Sequence, residues 1–326
     1  MNLMDRHQHS PSVDRRVIFT LIFLALFFSL SGNHSYAQAE PKVKAVTTLF
    51  PLQEFARAVG GERAQVDLLL PPGAEPHEWE PKPGDLAKIY KADIFIFIGR
   101  AMEPWAHDLL KATQKPNLKV VEAMKGLQLL EAGESSREIS REHKLQPEEK
   151  VDPHVWLDFP QDLKIIEAIS AAFAEKDPAH ASQYRANAAS YQSQLAGLDQ
   201  KYQLALAQCR YRQMVLGGHS AFAYLANRYG LRQIPLYGIS PNAEPSPRKL
   251  AEVITSARNH GVKYLFFEEL VNPKLAQVLA REAGIQTLVL SDGANLTREQ
   301  VKQKVTFLYL MERNLENLRK GLECEP

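Results

Sequence analysis

Residues 179–207 read AHASQYRANAASYQSQLAGLDQKYQLALA, and this stretch decides what fold the rest of the chain must build. Tyr184, Tyr191, Leu195, Leu198 and Tyr202 follow one another at intervals of 7, 4, 3 and 4, which is the period of an α-helix with one apolar stripe. Gly197 is its sole glycine, and no proline interrupts it. At 1.5 Å per residue the stretch reaches about 43 Å, enough to run the height of two lobes. A helix of that length at mid-chain predicts a stiff rod joining two lobes rather than a flexible linker.

On both sides of the rod, short apolar runs alternate with helical patterns, the signature of an α/β fold. Upstream, strands are predicted at Val43–Leu49, Val66–Leu70, Asp93–Ile98 and Leu118–Val121, with helices at Pro51–Val59, Leu86–Lys91, Glu103–Lys111 and Asp162–Glu175. Asp93–Ile98 is apolar on both faces, as a buried parallel strand requires. Downstream, strands at Met214–Leu216, Gln233–Tyr237, Tyr264–Phe267 and Thr287–Leu290 alternate with helices at Ala221–Tyr229, Pro247–His260, Pro273–Ala283 and Thr297–Arg319. The expected architecture is two (β/α) lobes, 38–178 and 208–326, joined by one long helix over 179–207. The charged segment 131–150 has too few apolar groups to bury a face and reads as a surface loop.

The chain has 326 residues, a length suited to two lobes of ordinary size. Its 39 Lys plus Arg against 38 Asp plus Glu give no bulk field to gather nucleic acid. Near the N-terminus, Arg15 and Arg16 precede an uncharged 14-residue apolar run, Val17–Leu30, then Ser35-Tyr36-Ala37. That run is short for a membrane span and has the proportions of a signal peptide cleaved after Ala37, so the mature protein is expected in the periplasm. Loss of 1–37 removes three Arg and two Asp and leaves 36 charges of each sign. No cysteine stands near the cleavage site, so no lipid anchor is expected. The two cysteines, Cys209 and Cys324, either pair across the second lobe, as an oxidising compartment permits, or stay as free buried thiols.

Cleavage also removes His7, His9 and His34 from the 10 histidines. Of the remainder, three stand apart. His77 follows the second strand within Pro76-His77-Glu78-Trp79, His154 lies in Asp152-Pro153-His154-Val155-Trp156, and His219 follows a strand directly in Gly217-Gly218-His219-Ser220. Ligands of open α/β sheets bind beyond the carboxyl ends of the strands, and two of these imidazoles hold that address by position alone. Drawn from both lobes, the three would meet in the cleft between them. Three neutral imidazoles and a carboxylate complete a tetrahedral zinc shell, whereas manganese and magnesium favour more oxygen donors. His107, His143, His180 and His260 read as structural or solvated.

Catalytic chemistry finds no footing. His77-Glu78 opens like a zinc-protease helix, but Pro81 and Pro83 deny that helix and no second His follows. There is no Gly-x-Ser-x-Gly elbow and no phosphate-binding glycine loop.

Taken together, several motifs resemble the cluster A-I solute-binding proteins of zinc and manganese ABC transporters, most closely the zinc-type members. They are Leu70-Pro71-Pro72-Gly73 with Pro76-His77, Glu103-Pro104-Trp105, Asp152 to Asp158, Gly218-His219-Ser220-Ala221-Phe222, Arg228-Tyr229-Gly230-Leu231 and Phe267-Glu268-Glu269. The resemblance implies a monomeric, non-enzymatic carrier that takes Zn²⁺ between its lobes and delivers it to a membrane permease. It places the metal on His77, His154 and His219. Manganese-type relatives tend to carry a carboxylate at the third position, so His219 favours zinc over Mn²⁺. For the fourth ligand it points to Asp292, with Glu269, Glu78, Glu75 or a water as alternatives. The loop before His154 departs from the His-rich loops of many zinc-type members, having only His143. Other readings are a manganese or iron carrier of the same fold, an exported zinc hydrolase, and an adhesin.

Overall fold

The computed structural model describes residues 42–113, 115–132, 151–239, 246–268, 270 and 273–325. The signal segment, His143 and Glu269 lie outside the described residues.

In the first half, β1 (Val43–Thr47), β2 (Ala64–Leu68), β3 (Ile94–Phe97) and β4 (Lys119–Glu122) alternate with α1 (Phe50–Gly60), α2 (Pro83–Lys91) and α3 (Pro104–Thr113). Then come α4 (Phe159–Lys176) and the long α5 (Ala181–Leu206). The second half runs β5 (Gln213–Leu216), α6 (Ala223–Arg228), β6 (Arg232–Pro235), α7 (Pro247–Asn259), β7 (Tyr264–Phe267), α8 (Pro273–Ala283), β8 (Gln286–Val289), α9 (Arg298–Lys302) and α10 (Phe307–Gly321). The strands form two four-stranded parallel sheets of the same order, β2-β1-β3-β4 and β6-β5-β7-β8. In each sheet the order reverses beside the first strand, between β1 and β3 and between β5 and β7. The crevice beyond the strand ends opens at that reversal.

Parallel sheets need cover on both faces, and β3 shows it: Ile94, Phe95, Ile96 and Phe97 are all buried. One face joins the main core, while Phe95 and Phe97 meet Ile89 and Ala106 of α2 and α3 in a smaller cluster. The stripe predicted on α5 is the buried one. Tyr184, Leu195, Leu198 and Tyr202 are buried and Tyr191 packs on Phe55. The helix lies along α4 and α1 on the first-lobe side and against α10 on the second.

Polar anchors fix the rod at both ends. Near its start, Asp177 accepts from His180 Nδ1 at 3.0 Å, Arg63 at 3.1 Å and the Tyr184 hydroxyl at 2.8 Å. Despite some burial, these donors hold the Asp177 carboxyl down at about 2. Towards the other end, Asp199 takes two bonds from Arg228, at 2.9 and 2.6 Å, and one from the Tyr229 hydroxyl at 2.8 Å. Tyr202 donates to Met311 O at 2.6 Å. Asp177→Ala strips three partners at once and is expected to cost about 2 kcal/mol, read as a lower urea midpoint with an unchanged slope.

Most element ends differ from the sequence reading by one to three residues; β1, for example, stops at Thr47 rather than Leu49 and α4 starts at Phe159 rather than Asp162. Strand β2 runs Ala64–Leu68 rather than Val66–Leu70; Leu69 still donates its N–H to Thr47 O at 2.9 Å as the chain leaves the sheet, and Leu69 and Leu70 are buried. The single final helix predicted over Thr297–Arg319 is two helices. Thr297 caps α9, Lys304 turns the chain with a positive φ of 55°, and Thr306 caps α10 by accepting from Tyr309 N. Cys209 and Cys324 are joined in a disulfide, tying the exit of α5 to the end of the chain.

Candidate metal centre

His219 stands three residues past β5 and Glu268 directly after β7, so both occupy the reversal point of the second sheet. Glu268 grips the turn twice: Oε1 accepts from the His219 backbone N–H at 2.8 Å, and Oε2 lies 2.7 Å from its Nδ1, off the line of the ring N–H. Gly218 permits this approach, since a Cβ there would fall 1.9 Å from Glu268 Oε1 and 2.8 Å from Cδ. Gly218→Ala must therefore push the carboxylate off His219.

His77 sits in a 3-10 turn, Pro76–Glu78, whose cap is Glu75; its side chain accepts from the His77 N–H at 3.2 Å. His154 opens a second short turn and is fully buried. Asp152 Oδ1 holds His154 through both its backbone N–H, at 2.9 Å, and its Nδ1, at 2.7 Å. Tyr224 fixes this loop from the second lobe, donating to Asp152 O and accepting from Leu130 N, each at 3.0 Å.

The three predicted histidines meet. His77 Nε2 lies 3.2 Å from His154 Nε2, which lies 3.1 Å from His219 Nε2. A second group of donors shares His219, with Glu268 and Asp292 within 4.8 Å of it and of each other. Glu78 is exposed, Glu75 is engaged as the cap of His77, and neither falls in such a group. Away from the cleft, His107 Nε2 faces Glu122 at 3.4 Å, His180 faces Asp177, and His260 caps α7.

Sequence reasoning missed what stands behind the rings. Asp152 and Glu268 each point a carboxylate at an Nδ1, which turns Nε2 towards the cleft. The available signals were an Asp two residues before His154 and an acidic residue at the end of β7.

Burial and the neighbouring ring charges hold His77 and His154 well below the ordinary histidine range. Burial would depress His219 as well, but Glu268 outweighs it and raises the ring to about 9. Burial, reinforced by the charge of Glu268, lifts Asp292 to about 7, and burial lifts Asp152 to about 7. At neutral pH the cleft thus holds two neutral imidazoles, one imidazolium and titrating carboxyls, a donor set able to exchange protons for a cation.

A family model described as "Zinc-uptake complex component A periplasmic" (ZnuA) matches residues 45–321. The chain belongs to the ZnuA family. It is 35% identical to the high-affinity zinc uptake system protein ZnuA of Bacillus subtilis over 94% of this chain and 97% of that one. It is 34% identical to the zinc-binding protein AdcA of Streptococcus pyogenes over 94% of this chain, but spans only 61% of that longer protein. Among solved structures, the Zn(II)-bound ZnuA-like domain of Streptococcus pneumoniae AdcA aligns with a TM-score of 0.74 and 35% identity, covering 86% of this chain and 99% of that domain. The laminin-binding protein Lmb of Streptococcus agalactiae, described as an adhesin with metal-transporting activity, aligns with a TM-score of 0.74 and 30% identity over 86% and 99% of the two chains. The two parallel-sheet lobes and long helix are thus the ZnuA-like fold. Among the described residues no helix is long and apolar enough to cross a membrane.

Proposed function

We propose that the chain is a periplasmic carrier that binds one Zn²⁺ through His77, His154, His219 and Asp292 and delivers it to the permease of an ABC importer. The observation that carries this reading is the meeting of three imidazole Nε2 atoms at 3.2 and 3.1 Å. Nitrogens bound tetrahedrally to zinc at ~2.05 Å stand about 3.3 Å apart, so the rings are already close to their liganded spacing. Rings this close repel once protonated, and a dication removes that cost. Of the carboxylates beside His219, Glu268 is committed to its N–H and Nδ1. That leaves Asp292 as the donor available to complete the shell.

Four protein donors close the coordination shell and leave no site for an activated water, so the chain is a carrier and not a hydrolase. A leader over 1–37, lobes at 38–178 and 208–326 with the rod at 179–207, and a monomeric state complete the proposal.

Competition titration of metal-free protein with Zn²⁺ and Mn²⁺ tests it. One Zn²⁺ per chain is expected, with Mn²⁺ weaker by orders of magnitude; equal affinities would favour a manganese or iron carrier instead. Gly218→Ala is expected to weaken zinc about 10- to 100-fold in the same titration, the usual effect of losing the group behind a metal-bound histidine. The likeness to Lmb makes adhesion the second reading, and immobilised laminin tests it: the carrier reading expects no binding, and binding would support adhesion.

A further inference from the structure

Asp292 follows β8 and belongs by sequence to the second lobe, yet the segment that carries it is fastened to the first. Trp156 Nε1 donates to Asp292 O at 2.6 Å and Phe50 N to Ala294 O at 3.0 Å. Gly73 N donates to Leu296 O at 2.8 Å, and Asn295 Nδ2 donates to Pro71 O at 2.8 Å and Ala74 O at 2.9 Å. Five hydrogen bonds therefore cross the cleft along five residues. Trp156 and Asn295 are both buried, where lost partners are costly. The Trp156 ring also lies edge-on to His154, 5.2 Å between centroids. The segment's tie to its own lobe is at Ser291, which exchanges two bonds with Asn314 at 2.8 and 2.6 Å. His219, by contrast, has its backbone held within the second lobe by Glu268.

Resting on the zinc reading above, we infer that Trp156 and Asn295 are positioning residues. They dock segment 292–296 on the first lobe, so that Asp292 travels with His77 and His154. The donors then divide unequally between the moving parts: three ride with the first lobe, and His219, backed by Glu268, alone rides with the second. Retention of zinc depends on the strap because it holds the carboxylate in place whenever the lobes part. A purely structural role for these two residues would lower stability without touching the metal.

The test uses the full mature chain loaded with Zn²⁺ and, separately, with Co²⁺ as a spectroscopic probe. Trp156→Phe keeps an aromatic ring against His154 and removes the donor; Asn295→Ala removes the other two bonds. Each is expected to release zinc to a chelator at least tenfold faster than the parent and to lose intensity in the Co²⁺ d–d bands, as a four-coordinate ion gains water. In an Asp292→Ala background, Trp156→Phe is expected to add no further acceleration, because the strap acts through that carboxylate. Release within twofold of the parent with unchanged Co²⁺ bands overturns the inference, as do rate effects of Trp156→Phe and Asp292→Ala that multiply. Should Asn295→Ala fail to fold, Trp156→Phe and the double variant decide the matter. A parent protein that binds neither ion overturns the zinc reading and the strap with it, whereas tight parent binding with indifferent variants overturns the strap alone.

Discussion

Replacing His154 with alanine is expected to weaken zinc binding by about 10³-fold. Structural zinc sites release roughly 10 to 16 kcal/mol in all, so one of four ligands carries about 3 to 4 kcal/mol. His154 is the central ring of the three, within 3.2 Å of His77 and 3.1 Å of His219. Its backbone N–H and Nδ1 both answer to Asp152, and no solvent reaches it to take its place. Asp152→Asn keeps the ring but alters its orienting partner, and a smaller loss of about 10- to 100-fold is expected. His107→Ala and His260→Ala, far from the cleft, should leave affinity unchanged. Calorimetric competition against a chelator of known affinity separates these cases; a His154→Ala protein that binds as tightly as the parent would contradict the assignment.

The second large effect is that of pH. With His219 raised to about 9, the metal-free protein carries a proton on that ring at neutral pH, and zinc must displace it. The sign follows: as pH falls below about 9, protons compete ever more strongly and affinity drops about tenfold per pH unit. Below about 7, where Asp292 also takes up a proton, the slope steepens towards a hundredfold per unit. From pH 7 to pH 5 the loss should reach about 10⁴-fold. At pH 8 in weak buffer, close to one proton should appear per zinc bound. Glu268→Gln removes the charge that keeps His219 protonated, so its ring returns to a lower range and the slope between pH 7 and 9 flattens. An affinity flat across pH 7 to 9 in the parent would contradict a protonated His219 in the metal-free protein.

Much of this was legible in the chain itself. Periodicity marked α5, because an unbroken apolar stripe needs no tertiary information, and the buried Tyr184, Leu195, Leu198 and Tyr202 are the stripe as read. His77 and His219 could be selected because strand ends are a fixed address in parallel sheets, whereas His154 stood out only by its motif, Asp152-Pro153-His154-Val155-Trp156. Element ends were harder to read. Leu69 and Leu70 are apolar because they are buried, and Leu69 N still bonds Thr47 O at 2.9 Å, so their composition does not mark the end of β2 at Leu68. The break at Lys304 depends on a turn that brings the start of α10 to the first lobe, where Phe307 N donates to Glu54 Oε2 at 3.3 Å. Nothing local in Thr297–Arg319 announces that partner, 253 residues away. Glu268 escaped for the same reason: its work on His219 is a contact across 49 residues, set by the neighbouring of β5 and β7.

The most direct test is a crystal structure of the zinc-loaded protein with anomalous data collected on both sides of the zinc edge. One peak is expected in the cleft, bonded to Nε2 of His77, His154 and His219 and to a carboxylate oxygen of Asp292, with Glu268 still on the far side of His219. A peak elsewhere, or a cleft ion without the zinc edge, would contradict it.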